Sequence, residues 1–172
     1  VGSPDLIALA AATLHVEGSP ERVLEIDCGD GERTLFLARE YPRAGVRGVD
    51  ASTEEIQAAS ARIGLDPEGR VAFKTGSARM GLPFPDDHFD LVVMRRVGRA
   101  MDVKAAARGR KGVEIARVLR PGGTLIGFSG ARPRDRLGLR ARGERRWLAR
   151  RGFELLQSGG AGGGTYLVAR LS

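Results

Sequence analysis

The feature that most constrains this chain is a short apolar segment, Arg22–Ile26 (RVLEI), that runs directly into a glycine-bearing turn, Asp27-Cys28-Gly29-Asp30-Gly31. An apolar run of this length, bounded by such a turn, reads as a buried strand. Thr34–Arg39, which follows, reads as a helix. Glycine lets the backbone turn sharply and lets a ligand come close to the main chain. A helix starting at the turn offers unpaired backbone N–H groups. Gly45–Val49 reads as a second strand, and Asp50 closes it nineteen residues after Gly31. An acid there suits the two hydroxyls of a ribose. The turn and the acid together point to a ribose-bearing ligand.

The pattern continues along the chain. Ser52 is a good N-cap for a helix through Ile63. Arg70–Lys74 and Phe89–Met94 (FDLVVM) read as third and fourth strands. A helix ends near Leu119, where Pro121-Gly122-Gly123 stops it and turns the chain into a fifth strand, Thr124–Phe128. Strands alternating with helices imply right-handed crossovers and a parallel sheet covered on both faces, an α/β fold. The tail differs. Phe153–Gln157 and Thr165–Ala169 are apolar runs separated only by the glycine-rich Ser158–Gly164, which reads as the connection of a terminal hairpin. Such a hairpin adds an antiparallel element to a parallel sheet. Leu6–Leu14 is apolar but too short to cross a membrane, and it lacks the charged leader of a signal segment; it reads as an amphipathic or core-docking helix.

With these elements in place, the resemblance to one family becomes specific. Val23–Gly31 (VLEIDCGDG) resembles the first motif of class I S-adenosylmethionine-dependent methyltransferases, usually written VLDIGCGTG. Val46–Ser52 (VRGVDAS) resembles their second-strand motif. Leu82–Val93 (LPFPDDHFDLVV), Glu114–Gly123 (EIARVLRPGG) and Leu148–Phe153 (LARRGF) are similar to later blocks, in family order. The resemblance implies a Rossmann-like three-layer sandwich with a seven-stranded, mostly parallel sheet in the order 3-2-1-4-5-7-6, strand 7 antiparallel. It also implies S-adenosylmethionine as cofactor and S-adenosylhomocysteine as product. Carried over residue by residue, Glu25, Gly29 and Gly31 would border the methionyl part, with Asp27 and Cys28 of the same turn also among the cofactor-binding residues. Asp50 holds the ribose, with Ala51 beside the adenine. Ser77 and Ala78 lie at the adenine edge, and Met94 and Arg95 line the floor near the sulfonium. The 172 residues, 42% hydrophobic, suit one domain: an N-terminal helix in 1–20, a cofactor-binding half in 21–130, and a C-terminal helix and hairpin in 131–172.

Charge is unevenly distributed. Residues 95–112 carry a local +6 and residues 131–151 a local +7, so the rest of a chain with net charge +7 carries −6. Both basic segments follow strands that end at the ligand edge of such a sheet. They suggest an anionic substrate: nucleic acid, a phosphorylated metabolite or a carboxylate. Arg95, Arg96, Arg99, Arg132 and Arg134 are the candidate contacts, since arginine forks suit phosphate and carboxylate. The alternative is that 140–151 is a solvated helix face with Trp147 and Leu148 turned to the core. Few aromatics accompany the arginines, so base stacking is not supported. The chain also lacks the Asn/Asp-Pro-Pro-Tyr box of amino-group base methylation. Cys28 lies in the wrong loop for a cytosine-methylating nucleophile.

The single cysteine forms no internal disulfide, which suits a reducing cytoplasm, and with two histidines no metal site is expected. His15 and His88 are the only histidines that could serve as a general base, and no family histidine maps onto either. Asp27 stands where the family has a glycine, and two readings stay open there. Either Asp27 attracts the cofactor's positive groups in an active methyltransferase, or it crowds them out in a degenerate relative that binds or scaffolds. An aminopropyl-transferring enzyme and an NAD-dependent one are disfavoured. The first lacks its acidic segment after strand 4. The second is argued against by the Pro-Gly-Gly turn and the hairpin.

Overall fold

The computed structural model describes residues 2–65, 68–95, 110–130 and 139–172. Its elements are α1 (Pro4–Thr13), β1 (Arg22–Ile26), α2 (Glu32–Glu40), β2 (Gly45–Asp50), α3 (Thr53–Ala61), a 3-10 turn (Ile63–Leu65), β3 (Val71–Thr75), β4 (Phe89–Arg95), α4 (Arg110–Val118), β5 (Leu119–Ser129), α5 (Leu139–Ala149), β6 (Phe153–Ala161) and β7 (Gly164–Leu171). The sheet order is β3-β2-β1-β4-β5-β7-β6. The first five strands in that order run parallel, and β7 is antiparallel to both of its neighbours. The seven-stranded order expected from the family resemblance is the order observed.

Two-residue periodicity makes the layers. In β4, Leu91 and Val93 join one apolar cluster, with Leu9 of α1 and Leu37 of α2; Val92 and Met94 join another, with Ile115 of α4 and Leu148 of α5. Successive side chains of a strand point to opposite faces, so both faces must be covered. Trp147 and Leu148 are buried, so α5 docks through the pair expected to face the core. Helix ends are capped by named groups. The Ser52 hydroxyl accepts from the Glu55 N–H at 3.2 Å, the expected N-cap of α3. The C-terminus of α2 is held by Arg70, whose guanidinium donates to the carbonyls of Ala38, Tyr41 and Ala44 at 3.0, 3.3 and 3.0 Å. A cation at that end also meets the negative pole of the helix.

Two elements depart from the expectation. The Pro121-Gly122-Gly123 turn lies inside the span of β5, where the β4 pairing shifts from Phe89–Leu119 to Leu91–Thr124. Proline contributes no N–H to a ladder, so the extra residues are extruded as an irregularity. The segment Ser158–Gly164 is mostly strand: β6 continues to Ala161 and turns through Gly162 and Gly163 alone, at φ 57° and 89°. Two consecutive positive φ angles make the tight turn whose twist matches the flanking strands.

Candidate functional site

The turn Asp27–Gly31 joins β1 to α2 at the carboxyl edge of the parallel strands. The Cys28 N–H donates to the Val49 carbonyl at 3.0 Å, extending the β1–β2 ladder, and the Gly31 N–H reaches back to the Cys28 carbonyl at 3.2 Å. Asp50 fixes the rest. Its Oδ2 accepts from the Gly29 N–H and its Oδ1 from the Ser52 N–H, both at 2.9 Å. Asp27 has φ 59°, a left-handed conformation that Asp and Asn tolerate better than other non-glycine residues. Gly31 is left-handed too, at φ 82°. A Cβ built there would lie 2.6 Å from Phe73 Cζ and 3.0 Å from Ala59 Cβ. A Cβ on Gly48 would likewise press on the Phe73 ring, at 2.6 Å. Gly29 is different: a Cβ there would meet only the Glu55 carboxylate, at 3.8 Å, so its backbone is open to the space above it.

That space is a cleft of about 550 Å³, within the ~300–1,000 Å³ usual for small-molecule sites. Asp27, Gly29, Asp50 and Arg95 line it, together with Asp30, Arg33 and Glu55. The lining therefore holds four carboxylates and two guanidinium groups, an acidic balance. Of the other sequence-derived residues, Glu25, Cys28 and Gly31 lie buried beneath the turn, and Ala78 and Met94 are in the core. Ser77 is half-buried, its hydroxyl accepting from the Met80 N–H at 3.3 Å, and Ala51 is exposed. Arg96, Arg99, Arg132 and Arg134 lie outside the described residues.

Beneath the turn, Glu25 is 0% exposed. Its Oε1 accepts from Arg33 Nε at 2.7 Å and its Oε2 from the Thr34 hydroxyl. Burial pushes the Glu25 carboxyl up to about 7, while Arg33 and Thr34 pull the other way. Burial works against the Arg33 charge, but Glu25 outweighs it and holds the guanidinium above its ordinary range. The Cys28 thiol is pushed up by burial and by Glu25 and Asp50, so it stays protonated. At the mouth, Arg95 pairs through Nε with Asp5 Oδ2 at 2.7 Å, and Asp5 Oδ1 accepts from the Gly130 N–H. The first turn of α1 thereby ties down the ends of β4 and β5. Neither histidine lines the cleft. His15 bonds Tyr166 Oη at 3.1 Å, and His88 precedes β4, at the opposite edge of the sheet.

Residues 23–123, more than half of the chain, match the methyltransferase domain family. The chain is 36% identical over 118 residues to a demethylmenaquinone methyltransferase of Symbiobacterium thermophilum, covering 67% of this chain and 45% of that protein. It is 36% identical over 127 residues to a fatty-acid O-methyltransferase of Mycolicibacterium smegmatis, covering 72% and 41%. The chain thus spans under half the length of either relative. A solved S-adenosylmethionine-dependent methyltransferase of Aquifex aeolicus superposes with a TM-score of 0.74 at 16% identity, covering 97% of this chain and 92% of that one. The fold is that of a class I methyltransferase, and the chain belongs to the methyltransferase domain family. The cofactor of that family is S-adenosylmethionine.

Arg33 and Glu55 were not among the residues singled out from sequence. For Arg33 a signal exists. An acid inside a five-residue buried strand requires a cationic or hydrogen-bonding partner, and the first turn of the next helix supplies an arginine, Arg33. Glu55 carries no comparable signal; it is one of two acids at the start of α3.

Proposed function

We propose that this chain transfers a methyl group from S-adenosylmethionine to a small acceptor carrying an anionic or ionisable oxygen. The observation that carries the cofactor half is the open backbone of Gly29 beside the clasped Asp50 carboxylate. Each Asp50 oxygen accepts one backbone N–H and retains a lone pair, so the pair can receive two ribose hydroxyls without releasing the turn. An acidic cleft also suits a ligand that bears a sulfonium and an ammonium. When bound, the cofactor supplies a methyl group on a good leaving group, which an acceptor atom displaces directly. The chain's task is then alignment.

The acceptor half rests on Arg95. Its side chain is 47% exposed, lines the cleft and is steadied at Nε by Asp5, which supports a guanidinium there as the contact for an anion. The two named relatives act on demethylmenaquinone and on a fatty acid, and the second of these carries a carboxylate. A lipid-like acceptor with an acidic head is the class that joins these observations.

Asp27 favours a second reading, a degenerate member with weakened cofactor use. Calorimetric titration with S-adenosylmethionine and S-adenosylhomocysteine, alongside Asp27→Gly, separates the two. Binding by the native chain in the micromolar range, about −8 kcal/mol, supports the methyltransferase. Binding only by the variant makes Asp27 a lesion, and silence from both removes the cofactor assignment.

A further inference from the structure

The cleft lining holds two guanidinium groups, Arg33 and Arg95, and one carboxylate from the first turn of α1 acts on both. Asp5 Oδ2 pairs with Arg95 Nε at 2.7 Å. Burial opposes the Arg33 charge, Glu25 supports it most, and Asp5 adds to that support. The position of Asp5 is built from two segments. Gly130, directly after β5, donates its N–H to Asp5 Oδ1. A Cβ on Gly130 would lie 2.6 Å from that oxygen and 2.8 Å from the Asp5 nitrogen, so the close approach needs a residue without a side chain. Ser3 shapes the turn from within the helix, its hydroxyl accepting from the Leu6 N–H at 3.3 Å and its carbonyl from the Ile7 N–H at 3.0 Å.

The two ends of the ion pair are unequally held. The Asp5 side chain is 14% exposed, against the 47% of Arg95. The buried residues of α1 begin only at Ala8 and continue with Leu9, Ala12 and Thr13, while Ser3 and Pro4 are exposed. Apolar packing thus seats the body of the helix, and the polar contacts of Asp5 tie down its first turn. A half-exposed ion pair is weak enough for a competing anion to replace, whereas the packed part stays in place.

We propose that Asp5 is an internal competitor for the anion site at Arg95, and that an acidic acceptor enters by displacing the Asp5 carboxylate and lifting the first turn of α1. This rests on the reading above that Arg95 meets the acceptor's anionic oxygen, and it adds what makes entry selective. An anion exchanges one charge-assisted bond at Arg95 for another. A neutral acceptor offers nothing in exchange and leaves the first turn down. Asp5 is therefore a specificity determinant that acts by exclusion. The same contact favours release. As the sulfur–methyl bond breaks and the acceptor oxygen takes the methyl group, a carboxylate becomes a neutral ester, which no longer competes for Arg95, and Asp5 reclaims it.

The test uses octanoate as the anionic probe and methyl octanoate as its neutral counterpart, titrated by NMR into the chain saturated with S-adenosylhomocysteine. Octanoate is expected to shift the Gly130 and Leu6 amide resonances and to speed their hydrogen exchange; methyl octanoate is expected to do neither. Asp5→Asn should bind octanoate about 2- to 5-fold more tightly, the strength of a half-exposed ion pair expressed as a ratio, with methyl octanoate unchanged. Asp30→Asn removes a cleft carboxylate that pairs with Arg62 instead, and should stay at the native affinity. Octanoate that binds while the Gly130 and Leu6 amides keep their protection overturns the competitor, and so does an equal gain in Asp30→Asn, which would reduce the effect to net charge. In both cases the acceptor reading survives if Arg95→Gln loses octanoate. A chain that binds S-adenosylhomocysteine but not octanoate, as native and as Asp5→Asn, defeats the acceptor reading and the competitor with it.

Discussion

The Gly29 N–H and the Asp50 carboxylate, 21 residues apart, are joined by a 2.9 Å hydrogen bond that couples the glycine-bearing turn to the end of the second strand. The same carboxylate takes the Ser52 N–H on its other oxygen. One side chain therefore shapes both the turn and the entry to α3.

Asp50→Asn should separate shape from ligand contact. An amide keeps one acceptor and turns an NH2 toward the other backbone N–H, so one bond is lost and one repulsion gained. The expected cost is about 1–3 kcal/mol in urea unfolding. Calorimetry should show S-adenosylhomocysteine binding weakened at least about 10-fold. Unchanged affinity would place the ribose elsewhere.

Gly31→Ala should be among the most damaging single-methyl changes in the chain. The new Cβ would need to sit 2.6 Å from Phe73 Cζ at a backbone φ of 82°. Overpacking and left-handed strain together predict a loss of about 2–4 kcal/mol. Adding Phe73→Leu should recover part of it, because the two sites share the clash and so do not add. Equal thermal midpoints for the single and double variants would contradict the packing account.

Glu25 makes stability pH-dependent. Its folded-state value of about 7 lies above the ordinary 4.5. The folded chain therefore binds a proton that the unfolded chain has released between those values. The stabilisation is complete below about pH 4.5 and is lost as pH rises through about 7, with a limiting slope of about 1.4 kcal/mol per pH unit. Urea unfolding of the native chain and of Glu25→Gln, compared from pH 4.5 to 8, reads this directly. The difference between them should fall with rising pH, and a flat difference would mean that Glu25 stays ionised throughout.

Asp5→Asn tests the tie between α1 and the sheet. It weakens the ion pair with Arg95 while keeping an oxygen for the Gly130 N–H. Global stability should drop by no more than about 1 kcal/mol, since Arg95 is half-exposed. Hydrogen exchange should nevertheless speed up selectively in Pro4–Thr13. Unaltered exchange there would show that apolar packing alone seats the helix.

Much of this was legible in the sequence because burial has a period. Arg22–Ile26 was read with the boundaries observed, and Ser52 was read as the cap it is, since both depend on neighbours in the chain. The glycine-rich Ser158–Gly164 misled for the opposite reason. Its strand character comes from pairing with β7, and Gly159 leaves room for the Tyr166 ring, where a Cβ would lie 2.8 Å from the hydroxyl. The site divided the same way. Asp50 belongs to a motif with fixed spacing, so its place beside the turn was legible. Arg33 was hidden among many arginines, and only the burial of Glu25 singles it out. The basic runs pointed to anions, yet the cleft lining around the turn is acidic. Of the candidate anion contacts, Arg95 is the one that falls within the described residues, and it lines that cleft.

Phe73 sets a limit on how the Asp27–Gly31 turn can be moved between proteins. Its ring occupies the volume that side chains at Gly31 and Gly48 would need, from the outermost strand of the sheet. The turn sequence by itself is not a portable module. A transplant of Asp27–Gly31 into another scaffold has to bring an aromatic on the third strand, or the turn will have nothing to rest on.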